Sequence, residues 1–246
     1  MPQPFAGRIA LVTGASRGIG YATALSLARA GAHVVAVART VGGLEELDDA
    51  VRAAGGSATL TPLDMRDYPA LYRLGAALDE RYGRLDVLVG NAAIADVPSP
   101  LDHIEPKAWD ESIAVNLTAN WHLIRAMNPL LKLSDAGRAV FITSGVATSA
   151  RAYWAPYSVS KGALDVLVRT YAEETSSTNI RVNLFNPGPT RTRMRALAMP
   201  GEDPATLPAA DGVAEKILDL CLPSVSYSGK LYDFRAGKLL EFMRPA

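Results

Sequence analysis

The sequence predicts an α/β fold: a doubly wound parallel sheet, strand order 3-2-1-4-5-6-7, with helices on both faces. Two observations carry that reading. Short apolar segments alternate along the chain with longer segments of helical periodicity, the pattern produced by parallel strands joined through right-handed helical crossovers. The first strand also runs straight into a glycine-rich turn and a helix, which marks the point where the winding reverses. With 246 residues, no dividing linker and no internal repeat, a single domain over 1–246 is expected.

Ile9 to Val12 is wholly apolar, as a strand buried on both faces of a parallel sheet must be. Thr13-Gly14-Ala15-Ser16-Arg17-Gly18-Ile19-Gly20 follows, and a helix is expected from Gly20 to Ala30, closed by Gly31. Strand, glycine turn and helix N-terminus make a Rossmann-type site where backbone N–H groups can hold a pyrophosphate, and the missing Cβ atoms admit it closely. No Gly-Lys-Ser/Thr ending follows, which disfavours a nucleoside-triphosphate loop.

The second strand is expected over Val34 to Ala38. Leu44, Leu47 and Val51 then form a helical stripe that stops at Gly55-Gly56. Ala58 to Leu63 reads as a strand followed by Asp64, Tyr68 to Tyr82 as a helix stopped by Gly83, and Asp86 to Val89 as a strand leading into Gly90-Asn91-Ala92-Ala93. Glu105 to Leu131 reads as mostly one long helix, with Pro106 at its start and a kink expected at Pro129. Ala139 to Thr143 is a strand ending in Ser144, and the helix with Tyr157 and Lys161 is expected to reach about Thr178. Arg181 to Phe185 leads to Asn186-Pro187-Gly188-Pro189, and a helix over Ala209 to Leu222 and a strand over Lys230 to Phe234 complete the chain. Segment 190–208 shows little periodicity, and a loop that long in a compact domain is usually functional, so it is a candidate substrate lid.

Composition narrows the function. Lys+Arg and Asp+Glu number 25 each, so net charge points to neither nucleic acid nor a membrane surface, and any anion recognition must be local. Cys221 is the only cysteine, and His33, His103 and His122 show no ligand spacing, so no metal site is expected. The first seven residues do not read as a secretory signal, and no apolar run approaches the roughly 18 residues of a membrane span. A cytoplasmic location is expected.

The chemistry concentrates in Tyr157-Ser158-Val159-Ser160-Lys161. A tyrosine and a lysine four apart lie on one face of a helix. A phenol has a reference pKa of about 10; a nearby ammonium favours the phenolate, and about 4 kcal/mol would bring it roughly three units down, towards neutral pH. Taken alone, the pair could equally be a packed ring beside a solvated charge. The second strand ends Val37-Ala38-Arg39-Thr40, with no carboxylate for a free ribose 2′-hydroxyl. Arg39 and Arg17 instead suit a 2′-phosphate, which guanidinium binds through paired hydrogen bonds, so NADP(H) is expected over NAD(H). A solvated charge is the alternative reading of Arg39.

In this order Thr13-Gly14-x-x-x-Gly18-x-Gly20, Asp64, Asn91-Ala92, Asn116, Ser144, Tyr157-x-x-x-Lys161 and Pro187-Gly188 resemble the short-chain dehydrogenase/reductase family, from Arg8 to about Phe234. The resemblance implies that Tyr157 is the acid or base at the carbonyl oxygen and that Ser144 hydrogen-bonds the same oxygen. It implies that Lys161 lowers the tyrosine pKa and holds the nicotinamide ribose, and that Asn116 positions a water in a proton relay. The cofactor would lie along Gly14, Ser16, Arg17, Gly18, Ile19, Gly20, Arg39, Asp64, Met65, Asn91 and Ala92. Asp64 would sit near the adenine, and Pro187, Gly188, Thr190 and Thr192 would frame the nicotinamide. Gly90 and Ala93 replace the Asn and Gly of the family's Asn-Asn-Ala-Gly, and the chain end lacks the usual Asp-Gly-Gly.

The expected activity is hydride transfer between NADP(H) and a carbonyl or alcohol substrate. Ile94, Val146, Tyr153, Trp154, Met194, Leu197 and Met199 are placed as pocket walls, which favours a hydrophobic ketone or aldehyde. A 3-oxoacyl carrier-protein reductase and a non-catalytic dinucleotide-binding regulator are the alternatives; the complete Asn116, Ser144, Tyr157, Lys161 set argues against the second. The resemblance further implies a homodimer or homotetramer paired through the two long helices, with Trp121, Leu167 and Tyr171 as candidate contacts.

Overall fold

Strand β1 (Ile9–Thr13) lies at the centre of one sheet, between β2 (His33–Ala38) and β4 (Val87–Gly90). In this computed structural model, which describes residues 3–242, β3 (Ser57–Pro62) pairs outside β2. On the other side, β5 (Arg138–Ile142), β6 (Arg181–Asn186) and β7 (Leu231–Asp233) follow β4 outward, all in parallel register. The order 3-2-1-4-5-6-7 is the expected one. An eighth strand, β8 (Lys238–Leu240), adds antiparallel to β7. The sequence reading stopped before it, because three residues at a chain end carry no periodicity.

Alternation along each strand divides the core in two. Ala10 and Val12 face the layer formed by α1 (Gly18–Arg29), α2 (Val41–Ala53) and the late helix Ala210–Cys221. Leu11 and Phe141 face the layer formed by α3 (Tyr68–Tyr82) and two later helices. The ends of α3 follow from its sequence: the Asp67 carboxylate accepts from Ala70 N at 3.0 Å, and Gly83 closes the helix at φ 68°.

The long helix expected to begin at Glu105 is instead composite. α4 (Pro106–Ile113) passes into a π turn over Ala114–Thr118 and continues as α5 (Ala119–Leu133), straight through Pro129. A short helix α6 (Val146–Ser149) precedes α7 (Ala155–Glu174), which carries Tyr157 and ends before Thr178. There the Thr175 hydroxyl donates to Tyr171 O at 2.8 Å, competing with the helical ladder. Segment 190–208 is more ordered than its sequence suggests. It holds α8 (Arg193–Ala198) and a 3₁₀ turn at Pro204–Thr206, and its ends are clasped by Arg191 N donating to Pro208 O at 2.9 Å. The Ala210–Cys221 helix is α9. Among the described residues no helix is long and apolar enough to cross a membrane.

A Cβ on Gly20 would lie 2.3 Å from Gly14 O and 2.4 Å from Asn91 Nδ2, whereas one on Gly42, in the first turn of α2, would meet nothing. Gly20→Ala should therefore lower the stability by about 3 kcal/mol or more. Gly42→Ala should raise it by roughly 0.4–1 kcal/mol. Urea unfolding of the two variants checks both signs.

Candidate active site

The C-terminal ends of the central strands open into a cleft of about 520 Å³. At its base, Gly14 (φ 67°) and Gly18 (φ 59°) turn the chain from β1 into α1. No side chain caps the N-terminus of α1 and no acid sits in its first turn, so its N–H groups and positive dipole end remain available to an anion. Arg17 and Arg39 line the same end of the cleft, both exposed, with the Arg39 guanidinium 4.0 Å from Asp64. This donor set fits a phosphorylated dinucleotide. Among the described residues no cluster of three metal-ligating side chains occurs.

The turn is closed from β4. Asn91 Nδ2 donates to Thr13 O at 2.9 Å, and the Thr13 hydroxyl accepts from Asn91 N and Ala92 N, each at 3.0 Å. Gly90 precedes this clamp, and a Cβ there would lie 2.3 Å from the Phe141 ring. The ring of β5 thus fills the space that a side chain at position 90 would need.

Tyr157, Lys161 and Asp165 follow one another at one-turn intervals along α7. Lys161 is buried and donates to Ile142 O at 2.7 Å. Asp165 is buried one turn further on, where its carboxylate accepts from the Thr143 hydroxyl. Two polar contacts thus fix the end of β5 to α7, just where β5 delivers Ser144. Ser144 and Tyr157 both line the cleft, close enough that the Ser144 hydroxyl slightly lowers the phenol's pKa.

Burial governs the protonation of this group. It pushes the Tyr157 phenol up to about 12, against a smaller lowering by Ser144, and the Lys161 ammonium down to about 8, opposed by Asp165. It also raises Asp165 to about 6. The expected lowering of the tyrosine by Lys161 is therefore not found: Nζ lies 5.8 Å from the ring centroid and is directed at a carbonyl, and desolvation outweighs its field.

Asn116 lies in the π turn, a geometry common at functional sites. Its Oδ1 accepts from Ile94 N at 2.8 Å, while Nδ2 donates to Ile94 O at 2.9 Å and Ser160 Oγ at 3.0 Å. The amide clips one cleft wall to the helix that carries Tyr157.

The opposite wall is a turn and the 190–208 segment. Ala150 (φ 44°) and Tyr153 (φ 73°) are the only non-glycine residues with positive φ among those described. Each such conformation costs about 1–3 kcal/mol. Between them Arg151 lies over the Trp154 ring, 5.8 Å from its centroid, and Trp154 packs on Tyr157 with centroids 6.2 Å apart. Within the 190–208 segment Arg195 holds Glu202 through two bonds of 2.5 and 2.7 Å.

The family model for short chain dehydrogenases matches residues 8–203. The chain is a short-chain dehydrogenase/reductase. It is 37% identical over 203 residues to an uncharacterized oxidoreductase, YciK, of Escherichia coli K12, covering 81% of this chain and 80% of that protein. A short chain dehydrogenase of Pseudomonas syringae superposes with a TM-score of 0.92 at 37% identity, over 95% of this chain and 96% of its own. One of Shigella flexneri 2a, solved in complex with NADP, does so with a TM-score of 0.91 at 33% identity, over 95% and 99%.

For this dehydrogenase/reductase the structure brings together on one cleft every site residue named from sequence except Gly20 and Asn116. Gly20 is buried behind the turn against Gly14, and Asn116 lies behind Ile94. Of the expected substrate walls, Ile94, Val146, Trp154 and Met194 line the cleft. Tyr153 borders a neighbouring hollow of about 110 Å³, and Leu197 and Met199 do not reach the cleft lining. The outer wall is more basic than the sequence reading held, because Arg151, Arg193, Arg195 and Arg235 all border it. Asp165 was missed, although its one-turn spacing from Lys161 could have revealed it. Among the expected interface residues, Trp121 is 44% exposed, whereas Tyr171 is buried in its own core with its hydroxyl on Asn128 Oδ1 at 3.0 Å.

Lys161 titrates near 8 in the folded chain against 10.5 ordinarily. Between those values the unfolded chain holds a proton that the folded one lacks, so this group makes stability rise with pH. Tyr157 and Cys221, both pushed up to about 12, act in the opposite sense above their ordinary values. The dinucleotide-free Lys161→Met variant should therefore lose the Lys161 contribution alone. The difference between its urea midpoint and that of the parent should change between pH 8 and pH 10, in the parent's favour at the higher pH.

Proposed function

We propose that this enzyme is an NADP(H)-dependent carbonyl reductase acting on small ketones or aldehydes with a hydrophobic body. The observation that carries the reading is the Tyr157 phenol, half-buried on the cleft beside Ser144 and one helical turn from Lys161. A bound nicotinamide dinucleotide supplies the hydride. Tyr157 donates its proton to the substrate oxygen as charge develops there, and the Ser144 hydroxyl hydrogen-bonds the same oxygen. Lys161, charged at neutral pH, offers its remaining protons to the ribose, and its positive charge stabilises the phenolate left when Tyr157 has given up its proton. A phenol raised to about 12 keeps its proton at neutral pH, so the donor is loaded for reduction, although the rise also makes it a weaker acid.

Asn116 acts through position, holding Ile94 and Ser160, and a relay water would sit on its main-chain carbonyl beside the Asn120 amide. Arg17 and Arg39 grip the 2′-phosphate, the α1 N-terminus and Ser16 the pyrophosphate, Asp64 and Met65 the adenine, and Pro187, Gly188, Thr190 and Thr192 the nicotinamide. The NADP complex of the Shigella flexneri relative supports this cofactor. Segment 190–208 serves as the substrate lid. Trp121 and Val166, 44% and 60% exposed on α5 and α7, provide the surface on which copies pair as a homodimer or homotetramer.

Tyr157→Phe should abolish NADPH-dependent ketone reduction while leaving NADPH binding within about threefold of the parent, because the phosphates are held elsewhere. Steady-state assay and fluorescence titration check the two halves. Arg39→Ala should weaken NADPH binding roughly tenfold, the loss of one charge-assisted contact, and leave NADH binding nearly unchanged. Equal losses for both cofactors would remove Arg39 from phosphate recognition.

A further inference from the structure

The outer cleft wall holds a charge that reduction of a neutral ketone does not use. Arg151 is exposed and borders the cleft. Its guanidinium makes no ion pair among the described residues, and its ring contact is with Trp154, which packs on Tyr157. Backbone strain brackets it: Ala150 and Tyr153 both hold left-handed φ, and Tyr153 O is pinned by Ser99 N at 2.9 Å. Strain of this kind persists where the surroundings enforce it, commonly at ligand clamps. Across the cleft mouth, Glu202 is taken by Arg195 through both carboxylate oxygens, with Arg151 exerting only a weaker pull on it. Glu202 is thus already engaged, and Arg151 keeps its paired N–H donors free.

We propose that Arg151 recognises a carboxylate on the carbonyl substrate, about one indole's breadth from the carbon that Tyr157 serves. The inference rests on the reductase reading above and names its substrate class: an oxo acid with a flat or apolar body against Trp154 and the carboxylate at the far end. Guanidinium matches a carboxylate through two parallel bonds, and its stacking on the indole preorganises that fork. Arg193 also borders the cleft and adds positive potential.

The test compares 4-acetylbenzoate with its methyl ester, which keeps shape and ketone but removes the charge. With NADPH, the parent should show a kcat/KM at least tenfold higher for the acid, mainly through KM. Arg151→Met should lower the acid-to-ester ratio at least tenfold, and Arg151→Lys should restore part of it. Glu202→Gln, which removes the competing negative charge, should raise the ratio. A ratio unchanged by all three variants overturns the proposal even if the ketones are reduced. Preference for 4-acetylphenyl phosphate over the acid overturns the carboxylate assignment.

Calorimetric titration of 4-acetylbenzoate into the NADP-loaded protein decides the matter independently of turnover. Binding to the parent that weakens at least tenfold in Arg151→Met supports the site even if neither ketone is reduced, in which case the reductase reading alone fails. Binding that is absent, or equal in both proteins, overturns it.

Discussion

Asn91 is the contact on which the rest of the site depends. Its amide reaches from the end of β4 to Thr13 O and lies near Gly14 O, joining the two strands that flank the point where the winding reverses. The approach is so close that Gly14 and Gly20 have no room for a Cβ. The glycines are therefore dictated by the protein's own backbone as much as by the need to admit a phosphate. Because the clamp holds the start of α1, it also fixes the direction of the N–H groups that face the cleft.

A second constraint comes from burying charge beside the reacting groups. Tyr157, Lys161 and Asp165 share one face of α7, and burial shifts all three towards their neutral forms. The Asp165 charge limits the shift of Lys161 and the Thr143 hydroxyl limits that of Asp165, while Lys161 also donates to Ile142 O. Both partners lie at the end of β5, immediately before Ser144. The polar contacts that make the burial tolerable also fix the strand end that leads to Ser144, so stability and the geometry of the proposed catalytic group are one arrangement here.

The fold was legible because strand burial and glycine turns are local signals. β1 to β7 and their order follow from apolar runs such as Ile9 to Val12, and α3 follows from Asp67 and Gly83. The cleft floor was legible through the family resemblance that Ser144, Tyr157 and Lys161 carry, because the one-turn spacing of Tyr157 and Lys161 fits a packed ring beside a solvated charge equally well. What the sequence hid are contacts between distant segments. Nothing near Asn116 announces that its amide will hold Ile94, and nothing around Gly90 predicts that the Phe141 ring will occupy its side-chain space. The protonation of Tyr157 was misjudged because spacing reports a neighbouring ammonium but says nothing of burial.

The cleft's charge illustrates the same limit on a larger scale. Cations and anions balance at 25 each, yet that balance is not kept locally. Asp64 is engaged by Arg66 at 2.8 Å, Glu202 by Arg195, and Asp233 by the Asn186 amide at 2.9 Å. These three acids are thus engaged within the fold, while Arg17, Arg39, Arg151, Arg193 and Arg235 line the cleft and are exposed. A cleft lined by more cations than acids concentrates positive potential even in a neutral chain. On the proposed reading, anionic ligands meet it at two places: the phosphates at the glycine turn and Arg39, and a carboxylate at the strained turn that carries Arg151.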